Sequence, residues 1–190
     1  MTTQGNLLAR ILHLLDDAGI PNMVVGSLAS SFHGEPRQTR DIDLVIDPSP
    51  DALRRFVATV PADELYVDPD AAEEALAQRG SFNVIESATG WKVDLLLRRD
   101  RPFSREEFAR RMPVHLLGTD VHIATAEDTI LAKLEWGRGG GSARQLRDVA
   151  GILVAQGDSL DSEYLARWVA VLGIQAEWRG ARDAGQAEDT

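Results

Sequence analysis

The chain has no cysteine, which excludes disulfides and thiolate-held metal ions. Its four histidines are scattered and make no zinc-ligand spacing. No apolar run reaches the ~20 residues that a membrane-spanning helix needs, so no membrane partner is expected. The opening MTTQGNLLARILHLLDDAGI lacks the basic start and small-residue cleavage site of a signal peptide. With the missing cysteine, this sets the expectation of a cytoplasmic protein. Positive charge is outweighed: the net charge is −10, which argues against a broad nucleic-acid surface, and DNA is not an expected partner. Lysine is almost missing. Of 20 basic residues, all are arginine except Lys92 and Lys133.

What is present suits one domain, or one domain with a helical appendage: 190 residues, 44% of them hydrophobic. Leu7, Leu8, Ile11, Leu12, Leu14, Leu15 and Ala18 make a helical stripe closed by Gly19 and Pro21. MVVG (23–26) reads as a short buried strand from which a helix opens at 27–33. EPRQTR is a polar loop, and DIDLVID (41–47) is a strand halted by Pro48 and Pro50. Helices are expected at 52–59 and 71–79, and strands at 81–87 and 91–97 form a hairpin. A second hairpin follows at 114–118 and 121–125. Between the hairpins lies an arginine-rich stretch, 98–111. Beyond it the pattern is helical at 127–136, 143–156 and 161–172, with a GRGGGS loop after the first, and the last dozen residues read as frayed. The expected architecture is therefore α/β (α+β): a small mixed sheet core over 1–125 and a C-terminal helical bundle over 126–190.

Carboxylates interrupt this pattern. In a strand, residues i and i+2 share a face, so Asp41 and Asp43 project together while Ile42, Leu44 and Ile46 pack elsewhere. Two carboxylates so placed repel each other unless a cation lies between them, and hard oxygen ligands suit Mg²⁺. A bare Asp-x-Asp also fits a solvated edge strand. Gly26-Ser27, at a strand-to-helix junction, allows close backbone approach and offers N–H groups to a phosphate. Asp94 is a lone charge amid apolar neighbours in WKVDLLL. A cation, an arginine partner from 98–111, or exposure on an edge would each explain it.

The set VVGS, DIDLVID and KVDLLL resembles the signature of the nucleotidyltransferase superfamily, which includes DNA polymerase beta and the minimal nucleotidyltransferases. Thirteen residues separate Ser27 from Asp41, a spacer within that pattern, and the resemblance spans 23–97. In the second half, EDTILAKLEW and LRDVAGIL are similar to the post-sheet helices of abortive-infection (AbiEii-like) toxin nucleotidyltransferases, extending the likeness over about 22–172. Lys133 and Asp148 occupy the positions of that family's lysine and aspartate. Read without the family, Lys133 borders the stripe of Ile130, Leu131 and Leu134, where it could snorkel or serve a phosphate. Asp148 is expected to be partly buried and paired, with Lys133, Arg144 or Arg147. Two departures weaken a toxin role: the family's toxins are commonly longer, and its second acid is here Gly151.

The resemblance implies transfer of a nucleoside monophosphate from an NTP, ATP included, to an acceptor hydroxyl. Asp41, Asp43 and Asp94 are then the metal and catalytic residues, for Mg²⁺ or Mn²⁺. Gly26, Ser27, Lys133 and Asp148 are nucleotide-binding, with Lys133 also counted as catalytic. The acceptor is open among an RNA or tRNA end, a protein, and a small cationic molecule of the aminoglycoside type. A cognate toxin or antitoxin partner is also open, as is a non-catalytic binding or antitoxin module of the same fold. His33, His115 and His122 read as structural, and Trp136 and Trp168 as core.

Overall fold

The computed structural model describes residues 3–39, 41–138 and 143–188. Arg40 of the polar loop and most of the GRGGGS loop lie outside the described residues. The chain divides into two compact units, one formed by the residues up to Ser27 with Thr39–Ile123, the other by Leu28–Gln38 and the chain from Ala124 on.

The first unit carries β1 (Asn22–Val25), β2 (Ile42–Ile46), β3 (Leu65–Val67), β4 (Ser81–Glu86), β5 (Lys92–Leu97), β6 (Met112–Leu116) and β7 (Thr119–Ile123). They form one mixed sheet in the order β3-β4-β5-β2-β1-β7-β6. Its helices are α1 (Thr3–Asp17), α3 (Pro50–Thr59), α4 (Pro69–Gln78) and α5 (Pro102–Arg110), with α2 (Gly26–His33) starting at the end of β1 and passing into the second unit. Strand alternation decides what each face does. Ile42, Leu44 and Ile46 of β2 and Val93, Leu95 and Leu97 of β5 are buried on one face. α1 contributes Leu7, Leu8, Ile11 and Leu15 to the core and α3 contributes Leu53 and Phe56, all fully buried. The other face keeps Asp43, Lys92 and Asp94.

Local chemistry sets the boundaries. Pro50, expected only to stop β2, is the first residue of α3, where a missing N–H costs nothing, and the Ser49 hydroxyl accepts from the Ala52 N–H. Asp68 and Pro69 open α4 in the same way. Two elements go beyond the sequence expectation. β3 is three residues long, too short for a periodicity to be seen, and α5 sits inside the arginine stretch, where charges hide Phe103 and Phe108.

The second unit is helical: most of α2, then α6 (Ala126–Gly137), α7 (Ala143–Gln156), α8 (Ser162–Leu172) and α9 (Gln175–Glu188). Thr125 caps α6, accepting from the Asp128 N–H and donating to the Asp128 carboxylate. His33 is buried and donates from Nε2 to the Ala124 carbonyl at 2.7 Å, and burial holds it below the ordinary histidine pKa. It is a structural histidine.

Two expectations are corrected here. Of the last dozen residues, expected to fray, those up to Glu188 belong to the helix α9, whose Ala181 is fully buried and whose Gly185 lies against Ala150 of α7, and the final two lie outside the described residues. Small residues four apart let two helices approach closely, so the composition that looked like a loose tail is a packing face. Trp136, expected in the core, is 70% exposed, because the buried side of α6 is formed by Ile130, Leu131, Lys133 and Leu134. Trp168 is buried as expected. Among the described residues, no helix is long and apolar enough to cross a membrane.

Leu44, fully buried at the centre of β2, anchors the register of the strand that carries Asp43. Leu44→Ala should lower unfolding free energy by roughly 2–5 kcal/mol, the usual range for a buried leucine. Urea unfolding checks this as a lower midpoint at an unchanged slope.

Candidate active site

β2 and β5 run parallel with Asp43 directly opposite Asp94. Neighbouring strands lie ~4.8 Å apart, and paired residues share a face, so these two carboxylates stand side by side. Asp41 precedes β2 and is exposed, and its charge still acts on Asp43. On the other flank of β2, Val25 of β1 pairs with Asp43, and the chain turns at Gly26 into α2.

Gly26 is demanded twice over. Its φ is +64°, a left-handed conformation that residues with a side chain avoid. A Cβ built there would lie 2.1 Å from the Asp43 Oδ2, far inside contact distance. The missing side chain lets the Asp43 carboxylate lie against the backbone, where the Ser27 N–H donates to it.

Electrostatics at Asp43 follow from this crowding. Burial, then the negative charges of Asp94 and Asp41, push its carboxyl above the usual range. The Ser27 N–H and the Lys92 ammonium pull the other way and do not win. Lys92, two residues before Asp94 and on the same face, places Nζ at 2.9 and 3.2 Å from the two Asp94 oxygens. That contact answers what balances the lone charge of Asp94: a cation from its own strand, not an arginine from 98–111.

Four of those arginines have partners nearby. Arg98 reaches Asp47 at 2.8 Å, Arg105 reaches Asp100 at 2.9 Å, and Arg101 donates to the Ser104 hydroxyl at 3.0 Å. Arg111 stacks 4.2 Å from the Phe108 ring centre and donates to the Phe108 carbonyl at 2.6 Å.

The second unit holds the other expected residues. Asp148 lies on α7 with its side chain 8% exposed, and it accepts from Lys133 Nζ at 2.7 Å. Arg37 meets it with a two-pronged contact, at 3.0 and 3.1 Å. Lys133 also donates to the Gln145 side-chain oxygen at 3.1 Å. Burial pushes the Asp148 carboxyl up, but the hydrogen bonds and charges of Lys133 and Arg37 outweigh it and hold the pKa below the usual value. A Cβ built on Gly151, standing where an acid was expected, would lie 3.5 Å from the Glu35 Cγ, beside a close contact of Gly34 with α7. An aspartate there would face a like charge.

Known structures complete the comparison. No protein-family model and no curated protein sequence matches the chain. The antibiotic-resistance factor ANT(2″)-Ia, in complex with adenylyl-2″-tobramycin, matches with a TM-score of 0.59 at 16% identity, over 90% of this chain and 97% of that one. An antigenic nucleotidyltransferase-like protein from Paracoccidioides brasiliensis matches at 0.56 and 16% identity, over 93% and 90%. The lincomycin-bound lincosamide antibiotic adenylyltransferase LnuA matches at 0.53 and 10%, over 80% and 96%. The chain has the nucleotidyltransferase fold.

Within that fold, the structure brings Gly26, Ser27, Asp43 and Asp94 together in the first unit, with Asp41 exposed just ahead of β2, and Lys133 and Asp148 together in the second. Lys92 and Arg37 were not assigned roles from the sequence. Lys92 could have been, since its spacing to Asp94 in a strand puts both on one face. Arg37 could not, because its partner is 111 positions away.

Among the described residues, no three His, Asp or Glu side chains surround one point as a closed metal site requires. Mg²⁺ does not require that. It takes one or two carboxylates and completes its shell with phosphate oxygens and water. Asp43, its carboxyl pushed up by burial and like charge, beside Asp94 is a donor set of that kind.

Two predictions follow from the crowding at Asp43. Gly26→Ala should destabilise the protein by about 1–3 kcal/mol from backbone strain alone, measurable by chemical unfolding. Asp43→Asn should stabilise the protein at neutral pH. A raised folded-state pKa means that ionised Asp43 opposes folding once pH exceeds the unfolded value. The gain in melting temperature should therefore be largest at pH 7–8 and shrink towards the ordinary aspartate pKa of ~3.9. Melts of both proteins across pH check it, and a loss of stability at pH 8 would contradict the assignment.

Proposed function

We propose that this protein transfers a nucleoside monophosphate from an NTP to an acceptor hydroxyl, releasing pyrophosphate. One observation carries the reading: Asp43 and Asp94 stand in register on adjacent strands, with Asp43 seated against the Gly26-Ser27 turn. The nucleotidyltransferase fold supports it.

In this reaction the acceptor oxygen bonds to the α-phosphorus as the bond to the bridging α–β oxygen breaks. Asp41, Asp43 and Asp94 would hold Mg²⁺, or Mn²⁺ in its place, which supplies Lewis-acid charge for the attacking and leaving oxygens. The chain's own residues do the remainder. Ser27 keeps Asp43 in place through its backbone N–H, and its hydroxyl is assigned to the triphosphate. Asp94 is assigned to receive the proton of the acceptor hydroxyl. Lys133 is assigned to a phosphate of the nucleotide, with Arg37 left to neutralise Asp148. Catalysis of this type rests on positioning and fixed charge, with no covalent nucleophile. A cytoplasmic location, where NTPs are available, belongs to the same reading.

For the acceptor, RNA, protein and a small cationic molecule all offer a hydroxyl. Arg98 and Arg105 are paired with Asp47 and Asp100, and Arg101 and Arg111 are bonded to neighbours, which weighs against the basic stretch as an RNA surface. A net charge of −10 favours a small cationic acceptor. ANT(2″)-Ia in complex with adenylyl-2″-tobramycin gives that reading a precedent on this fold. The likeness to abortive-infection toxins at Lys133 and Asp148 keeps a toxin–antitoxin role as the second reading, with a protein or RNA acceptor.

The test uses radiolabelled NTPs with Mg²⁺ or Mn²⁺, offered total RNA, lysate protein and a panel of aminoglycosides. The expected result is label in one fraction, lost by at least ~100-fold in Asp43→Asn, as when charge stabilisation is removed at a reacting centre. Transfer retained by that variant refutes the assignment. A non-catalytic module would transfer nothing and gain no thermal stability from NTP with Mg²⁺.

A further inference from the structure

The only two lysines in the chain each contact an aspartate, and the two pairs are not alike. Lys133 is 7% exposed and shares its aspartate with Arg37. Lys92 is 44% exposed and holds both oxygens of Asp94. Exposed ion pairs of this kind are individually weak.

We propose that Lys92 is a resident counter-ion of the carboxylate face, displaced from Asp94 by an arriving divalent cation and thereby freed to take a phosphate oxygen. The inference rests on the proposed nucleotidyl-transfer reading and adds to it a residue without a role assigned from the sequence.

Three observations carry it. Asp94 pairs with Asp43 across parallel strands, so without a counter-ion two negative charges face each other. Lys92 follows the strand period to the same face, and its charge acts on Asp41 and Asp43 as well as on Asp94. Both Asp94 oxygens are within hydrogen-bonding distance of Nζ, so a metal ion taking Asp94 must compete with that ammonium. The choice of residue fits as well. In a chain that otherwise uses arginine, this position has a compact, hydrated, flexible ammonium that releases a carboxylate more readily than a planar fork does. Once displaced, it remains on the face where a polyphosphate would bind, tethered by its four-carbon stem. The exchange raises the positive charge between the carboxylates by one, and the released ammonium is left to meet the anion that arrives with the metal.

The test measures Mn²⁺ binding directly, from the electron paramagnetic resonance signal of free Mn²⁺, without nucleotide. Wild type is compared with Lys92→Met, Lys92→Arg and Asp43→Asn. Lys92→Met keeps the aliphatic stem at an open surface position. It should tighten Mn²⁺ binding by roughly tenfold, the scale of one neighbouring charge removed at partial solvent exposure. Lys92→Arg, which keeps the charge, should not tighten it. With Mn²⁺ saturating, Lys92→Met should weaken ATP binding several-fold while the metal stays bound. Equal Mn²⁺ affinity in wild type and Lys92→Met, with binding lost in Asp43→Asn, overturns the counter-ion role and leaves the proposed function standing. Weaker Mn²⁺ binding in Lys92→Met also overturns it. No Mn²⁺ binding in either protein, with ATP or without it, overturns both readings.

Discussion

A carboxylate pressed against a residue with no side chain organises the first unit. Asp43 cannot retreat from Gly26, because β2 is locked in register by Ile42, Leu44 and Ile46, all fully buried on its other face. A slip of one residue would bury the acids and expose the aliphatics. Nor can Gly26 retreat, since its left-handed φ makes the turn into α2. The hydrophobic packing below the sheet thus holds a like-charge pair, Asp43 and Asp94, above it. Burial energy on one face maintains electrostatic tension on the other. Such tension suits a site whose charge is completed by its ligand.

The second unit meets a buried aspartate in the opposite manner. Asp148 is given Lys133 and both prongs of Arg37, and its carboxyl is held below the ordinary range where Asp43 is held above it. A buried acid with several cations is electrostatically satisfied and adds stability above its unfolded pKa. A crowded acid with one exposed lysine nearby is not satisfied. The two aspartates thus contribute to stability with opposite dependence on pH.

The arginines give a further example of charge that is present but engaged. Arg98, Arg101, Arg105 and Arg111 look like a basic stripe when written in a row, yet each has a partner close in space. Their guanidinium groups tie loop to strand and lie over aromatic rings.

Much of this was legible in the sequence. Period-two alternation fixed β2 and β5 and put Asp43 and Asp94 on the polar side, and the Gly-Ser junction marked the turn beside them. Helical periodicity found α1, α6, α7 and α8. α9 was missed because alanine and glycine look the same in a loose tail and in a tight helix contact until the partner is known. Trp136 was misplaced because a large apolar residue at the edge of a helical stripe can fall on either side of it. Only the tertiary structure set the parallel register that makes Asp43 and Asp94 neighbours, joined Arg37 to Asp148 across 111 positions, and paired Lys133 with Asp148 rather than Arg144 or Arg147. The physical reason is one of range. Side-chain period along a strand or helix is a local property of the backbone, whereas which charges meet depends on how distant segments close, and no local pattern encodes that distance.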